Sequence, residues 1–291
     1  MPVENQVAMS SIKLSIVICS KSADISDALK ENISSTIGFG EPEFELLVID
    51  NSANDHSIFE AYEEGVRRAQ GDVICFMHED ILFRTDGWGK TVIDAFADPT
   101  VGLLGVAGSH FLPKCRSTWF APEMRSDNFI QGFTKNGVYS TVPVCHDKWR
   151  TVSRDLVCVD GLFICIRASL FGTIAWDTKT FSGFHCYDTD ISLQVINAGF
   201  RVVMSWDILI EHKSSGVFSA SFYDSLKLLN AKWSAILPLV RGVEVSEGEI
   251  EARTRMVELK HEIQELKWSR EYAVGSAILR PLKRIGKLFG K

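Results

Sequence analysis

The sequence lacks the short phosphate-binding fingerprints. It contains no Gly-x-Gly-x-x-Gly and no Gly-x-x-x-x-Gly-Lys-Ser/Thr, so the glycine cradles of dinucleotide-binding and P-loop proteins are excluded. Its seven cysteines (Cys19, Cys75, Cys115, Cys145, Cys158, Cys165 and Cys186) form no Cys-x-x-Cys pair, which excludes zinc-ribbon and redox-motif readings. Several lie inside apolar runs such as Val73-Ile74-Cys75-Phe76-Met77, where cysteine acts as a small hydrophobe, and reduced cytosolic thiols are expected. No apolar run reaches the ~18 residues of a membrane span. The stretch Met1 to Ser11 is polar and lacks the basic-then-apolar layout of a signal peptide, so a cytoplasmic location is expected. Positive charge is also short. The 291 residues carry a net charge of −6, which argues against nucleic acid as the main partner because phosphate contacts need a basic surface. There are no repeats and no low-complexity tracts.

What is present is an ordinary globular balance, 46% hydrophobic and 23% charged, enough to bury a core without disulfide or structural metal. The charge is unevenly spread. Residues 273–291 hold Arg280, Lys283, Arg284, Lys287 and Lys291 and no acid, leaving the rest of the chain at −11.

Leu14-Ser15-Ile16-Val17-Ile18-Cys19 is short, apolar and β-branched, which predicts a buried strand. A helix is predicted from Asp24, as its cap, to Ile37. A strand follows over Phe44–Ile49, a helix over His56–Gln70, a strand over Val73–Met77, a helix over Gly87–Phe96 and a strand over Val101–Ala107. Strands alternating with helices imply βαβ units and a mostly parallel sheet. Between residues 111 and 154 the pattern breaks at three prolines and an Asn136-Gly137 hairpin signal; an insertion this long is usually functional. Strands are then expected over Leu156–Val159, Leu162–Ile166 and Phe200–Trp206, with a helix over Asp188–Ala198. Beyond about residue 216 the chain turns helical. One helix is expected over Ser219–Trp233 and another from the capping-box sequence Ser246-Glu247-Gly248-Glu249 to Lys267. This gives a domain over 1–216, with 111–154 as an acceptor-side insertion, and a helical extension over 217–291.

Ligands of open α/β sheets sit beyond the carboxyl ends of the strands. Polar residues gather there four times: Ser20 and Lys21; Asp50, Asn51 and Ser52; His78, Glu79 and Asp80; Glu211 and His212. A carboxylate cluster suits a hard divalent ion shared with diphosphate oxygens, and the imidazole of His212 favours Mn²⁺ over Mg²⁺.

These segments resemble the family 2 type of inverting glycosyltransferases, which have a nucleotide-sugar-binding GT-A fold. The resemblance rests on Ser15-Ile16-Val17-Ile18-Cys19-Ser20, on Leu47-Val48-Ile49-Asp50-Asn51-Ser52, and on Gly71-Asp72-Val73-Ile74-Cys75-Phe76-Met77-His78-Glu79-Asp80. In the last of these, His78 stands where the family's Asp-x-Asp has its first Asp. Phe184-His185-Cys186-Tyr187-Asp188-Thr189-Asp190-Ile191 resembles the family's Glu-Asp-x-Asp-Leu, with Tyr187 in the Glu place. The resemblance covers about residues 12–215.

The resemblance implies metal-assisted, inverting transfer of a sugar from a nucleotide-sugar donor to a saccharide or lipid-linked saccharide. Asp188 would be the base. Ser20, Asp50, Asn51, His78 and Glu79 would bind the donor, Asp50 at the nucleotide base, and Asp80 and His212 would hold Mn²⁺ or Mg²⁺. Trp149, Gly161, His185 and Asp190 are weaker candidates for the acceptor side. Each has a plainer reading. Asp188 at a helix start is also explained as a cap, where the helix dipole lowers its pKa. Asp50, Asn51 and Ser52 could simply make an Asx turn. Asp190 suits holding the helix start, His212 suits a structural strand end, and His78 suits a ligand, a diphosphate donor or a loop residue. A nucleotide-sugar-binding scaffold or inactive module and a nucleotidyltransferase are the competing functions; the second would need more glycine than Ser20-Lys21-Ser22-Ala23 supplies.

In residues 277–291, helical spacing puts Ile278, Leu282, Ile285 and Phe289 opposite the five cations. This stripe suits an anionic membrane surface, which would place the protein peripherally on the inner face, or packing on the body. The charged helix ending near Lys267 suits a solvated face or a homodimer contact.

Overall fold

The computed structural model describes residues 12–40, 42–120, 122–214 and 220–268. Segment 277–291, and with it the expected basic helix, lies outside the described residues. The first half alternates strands and helices: β1 (Leu14–Ser20), α1 (Asp27–Thr36), β2 (Phe44–Asp50), α2 (Ile58–Arg68), β3 (Val73–Met77), β4 (Ile81–Phe83), α3 (Trp88–Ala95) and β5 (Val101–Gly105). The middle is β-rich: β6 (Ala107–Ser109), β7 (Phe111–Leu112), β8 (Arg125–Lys135), β9 (Val138–His146), β10 (Asp155–Leu156), β11 (Cys158–Val159) and β12 (Phe163–Arg167). Then come α4 (Tyr187–Asn197), β13 (Arg201–Met204), β14 (Ile210–His212), α5 (Ala220–Trp233), β15 (Leu239–Val240) and α6 (Glu247–Trp268).

The main sheet runs β10-β13-β5-β12-β3-β1-β2. Strands β2, β1 and β3 are parallel, as are β13 and β5, whereas β12 is antiparallel to both β3 and β5, and β10 is antiparallel to β13. Five strands of the seven (β2, β1, β3, β5 and β13) therefore share one direction, the mostly parallel sheet that the βαβ pattern implies. The continuous apolar runs of β1 and β3 are explained by burial on both faces. On one face Phe59, Tyr62, Phe76, Trp176, Ile191 and Trp233 pack together. On the other, Leu29, Ile33, Trp88, Val92 and Phe163 do so. Leu226, Leu229, Trp233 and Leu237 belong to the same core as Val17 and Phe76, so α5 is built into the body rather than appended to it.

A second sheet runs β11-β6-β8-β14-β4, with β9 on the free side of β8. Its long hairpin turns at Asn136 and Gly137, with φ of 52° and 76°, the paired left-handed geometry that Asn-Gly selects. Strands β15 and β7 form a separate pair.

Several local expectations are corrected. Ser26, not Asp24, caps α1 by accepting from the Leu29 amide, while Asp24 pairs with Lys30. The cap of α2 is Ser57 in a reciprocal box with Glu60, so that helix begins after His56. The runs expected as single strands over 101–107 and 156–159 each divide between the two sheets, at Val106 and Val157. Glu211 and His212 do not end the late strand of the main sheet; they lie in β14, part of the second sheet.

Candidate active site

The register of β14 against β4 assembles the site. The two strands are antiparallel, with His212 opposite Ile81, and the Lys213 amide donates to the Asp80 carbonyl at 2.9 Å. His212 is thereby set beside the segment leaving β3. Its Nε2 lies 3.5 Å from Asp80 Oδ1, and His78 Nδ1 lies 3.8 Å from the same oxygen. One ligand atom from each of His78, Asp80 and His212 falls within 4.8 Å of the others. Two imidazoles and a carboxylate fit a borderline divalent ion better than an all-oxygen Mg²⁺ site. His78 thus joins Asp80 and His212 rather than standing apart with the residues expected to bind the donor. Its Nε2 is 2.7 Å from the Tyr187 hydroxyl, which orients Nδ1 toward the cluster. Burial opposes charge on Asp80, yet hydrogen bonds from His212 and Ser214 outweigh it and hold the carboxyl well below its usual range. Burial opposes charge on His212 too, but Asp80 raises its pKa; burial and the neighbouring His212 lower that of His78.

Asp188 sits in the first turn of α4. Its Oδ2 accepts from the Gly161 amide at 3.2 Å and its Oδ1 from the Thr189 amide at 2.7 Å. Burial, followed by the nearby Asp160 charge, pushes its pKa up to about 7. The downward pull expected from the helix dipole is therefore outweighed. Asp188 opens into a cavity of about 530 Å³ that also receives His78, Asp160, Phe184, His185 and His212. On the other side of His78, His212 and Phe184 lies a cavity of about 170 Å³, bounded by Cys19, Lys21, Glu79 and Asp80. The three-ligand cluster is shared between these two spaces.

The other expected residues divide. Asp50 is exposed at the end of β2 and accepts from the Ser52 amide at 2.9 Å, which lowers its pKa. Asn51 closes its own loop, donating to the His56 carbonyl at 2.8 Å and accepting from its amide at 3.0 Å, so its amide group is engaged in loop structure. Glu79 turns back to accept from the Ser20 hydroxyl at 2.7 Å and the Lys21 amide, tying the β1 loop to the β3 loop. Gly161 packs so tightly that a Cβ would lie 2.1 Å from the Tyr187 hydroxyl oxygen. His185 lines the Asp188 cavity, whereas Trp149 faces a neighbouring one. Asp190 is a correction. It is 1% exposed and is held by Trp233 Nε1 at 2.8 Å and Lys232 Nζ at 2.7 Å, away from the cavity lining. Asp160 and Tyr187 tune Asp188 and His78; the Asp160-Gly161 pair resembles a family stretch near the acceptor, whereas the only sequence signal at Tyr187 is a Tyr in a Glu place.

The glycosyltransferase-like family model matches residues 15–215. The chain belongs to that family. No curated protein sequence matches it. Among solved structures, it is similar to the mannosyltransferase PcManGT from Pyrobaculum calidifontis in complex with GDP-Man and Mn²⁺, at 11% identity and a TM-score of 0.45, covering 92% of this chain and 80% of that one. It is also similar to residues 1–349 of S. aureus TarS, at 13% identity and a TM-score of 0.47, covering 89% of this chain and 73% of that one. The complex of GalNAc-T7 with UDP, GalNAc and Mn²⁺ aligns at 11% identity and a TM-score of 0.45, over 89% of this glycosyltransferase and 58% of that chain. No described helix is long and apolar enough to cross a membrane.

Proposed function

We propose that this glycosyltransferase moves a sugar, with inversion, from a nucleoside-diphosphate sugar to a hydroxyl of a saccharide or lipid-linked saccharide. The observation that carries the reading is Asp188, with its pKa near 7, opening into the same cavity as two members of the His78, Asp80 and His212 cluster. In that cavity the acceptor oxygen attacks the anomeric carbon while the bond to the diphosphate breaks on the opposite face. The acceptor proton passes to Asp188, and one carboxylate suffices for a single displacement. The Gly161 and Thr189 amides fix the two Asp188 oxygens, and burial, followed by the Asp160 charge, keeps the group basic enough to act near neutral pH. His78, Asp80 and His212 would hold a divalent ion, which would supply positive charge against the departing diphosphate. Asp50, exposed at the end of β2, would read the nucleotide base. The basic segment 277–291 suits an anionic lipid surface or a second copy of the chain, which sedimentation with anionic vesicles distinguishes.

Calorimetry with UDP, GDP, CDP and dTDP, each with and without Mn²⁺, tests the reading. The expected result is Mn²⁺-dependent binding of at least one diphosphate; binding of none would favour a module without transferase function. Thermal stabilisation by a nucleotide-sugar panel then identifies the donor.

A further inference from the structure

Beside the Asp188 cavity lies a larger one, of about 820 Å³, bounded by the segment around Trp149 and by residues of α5 and α6. The two spaces share Thr118, Phe120 and Phe222 as walls, so they adjoin across these side chains. A row of rings links them. His185 in the Asp188 cavity meets Phe222 with ring centroids 5.2 Å apart, Phe222 meets Tyr223 at 5.4 Å, and Tyr223 meets His261 at 5.6 Å in the far cavity. Trp149 adds a half-buried indole to the same space. The same lining carries hydrogen-bonding groups of both kinds, including Arg125, His146 and Gln264, and Lys148, whose Nζ lies 4.1 Å over one face of the Trp149 ring.

Aromatic faces beside polar groups match the amphipathic surface of a sugar ring, whose C–H face packs on π density while its hydroxyls seek donors and acceptors. A lipid tail would strip water from these charged and amide groups without offering hydrogen bonds in return, at a cost in free energy. We propose that the Trp149 cavity is an extended acceptor subsite that binds the second and later sugar units of an oligosaccharide whose terminal hydroxyl lies at Asp188. This rests on the transferase reading above, and it makes the acceptor a saccharide of two or more units rather than a single sugar.

The test is binding of the full chain, with UDP and Mn²⁺ present, to an array of mono- to hexasaccharides and octyl monosaccharides. Binding is expected only for saccharides of two or more units. Trp149→Ala should weaken it about tenfold, on the scale of one lost aromatic contact, and Trp149→Phe should restore most of it. Thermal melting of each variant checks folding. Equal binding of monosaccharides, no binding of any saccharide, or no change in a folded Trp149→Ala variant would overturn the proposal. Stronger binding of octyl monosaccharides than of oligosaccharides would overturn it in favour of a lipid aglycone. Calorimetry with nucleoside diphosphates on the same preparation separates the two failures, since loss of saccharide binding with diphosphate binding intact refutes the subsite alone.

Discussion

The Tyr187 hydroxyl lies 2.7 Å from His78 Nε2, on the ring edge opposite Asp80. Tyr187, the first residue of α4, is itself buried against α2, its ring edge-on to Tyr62 at 5.7 Å. A residue standing where the family places a glutamate therefore acts here through the histidine that stands where the family places an aspartate. Tyr187→Phe keeps the ring and removes the hydroxyl. Mn²⁺ affinity, read by titration calorimetry, should fall roughly tenfold or more, as for other losses of a ligand-orienting partner, with little change in melting temperature.

In the proposed mechanism Asp188 sets the pH dependence. As the base it works only when ionised, so kcat/KM should rise with pH through an apparent pKa of about 7. Asp188→Asn should lower kcat by roughly 10²–10⁴. The same shift affects stability. A carboxyl with a folded-state pKa above its unfolded value binds more protons folded than unfolded, so stability falls as pH rises from about 4 to about 7. The Asn variant lacks that loss. Urea unfolding at pH 5 and pH 8 should show wild type losing on the order of 3 kcal/mol more than the variant.

Gly161→Ala would bring a Cβ to 2.1 Å from the Tyr187 hydroxyl oxygen. Tyr187 is buried and hydrogen-bonded, so it cannot yield without leaving His78. The variant should lose about 1–3 kcal/mol in denaturant unfolding, and its Mn²⁺ affinity should fall together with its stability.

Lys232 joins Asp177 at 2.6 Å to Asp190 at 2.7 Å. Lys232→Met would leave the buried Asp190 carboxylate without its cation, costing about 3 kcal/mol. Burial already raises the Asp190 pKa against the pull of Lys232, so the variant can recover part of the loss by protonating Asp190. The deficit should be larger at pH 8 than at pH 5, and equal deficits would place the contribution of Lys232 in packing alone.

The sheet was legible wherever burial on both faces leaves an unbroken apolar run, as in β1 and β3. The Asn136-Gly137 turn was legible because few residue pairs adopt two successive left-handed conformations. Caps were less so: Asp24 and Ser26 are both good capping residues two positions apart, and only the fold decides between them. The metal cluster was half visible. Asp80 and His212 stand out as residue types, but β4 and β14 are three residues each, too short for any periodicity to reveal their pairing. Asp190 misled because its partners, Lys232 and Trp233, lie on a helix far along the chain. The upward shift of Asp188 was hidden because it comes first from burial, which only the fold creates, and then from the nearby Asp160 charge.

The pairing of β14 between β4 and β8 also bears on the order in which the molecule comes together. His212 meets Asp80 only after a loop spanning most of the middle of the chain has closed, and long closures are slow and entropically costly. An ion on His78, Asp80 and His212 would therefore act as a clasp on a late-forming seam. Its expected kinetic signature is slower unfolding with little change in the rate of folding.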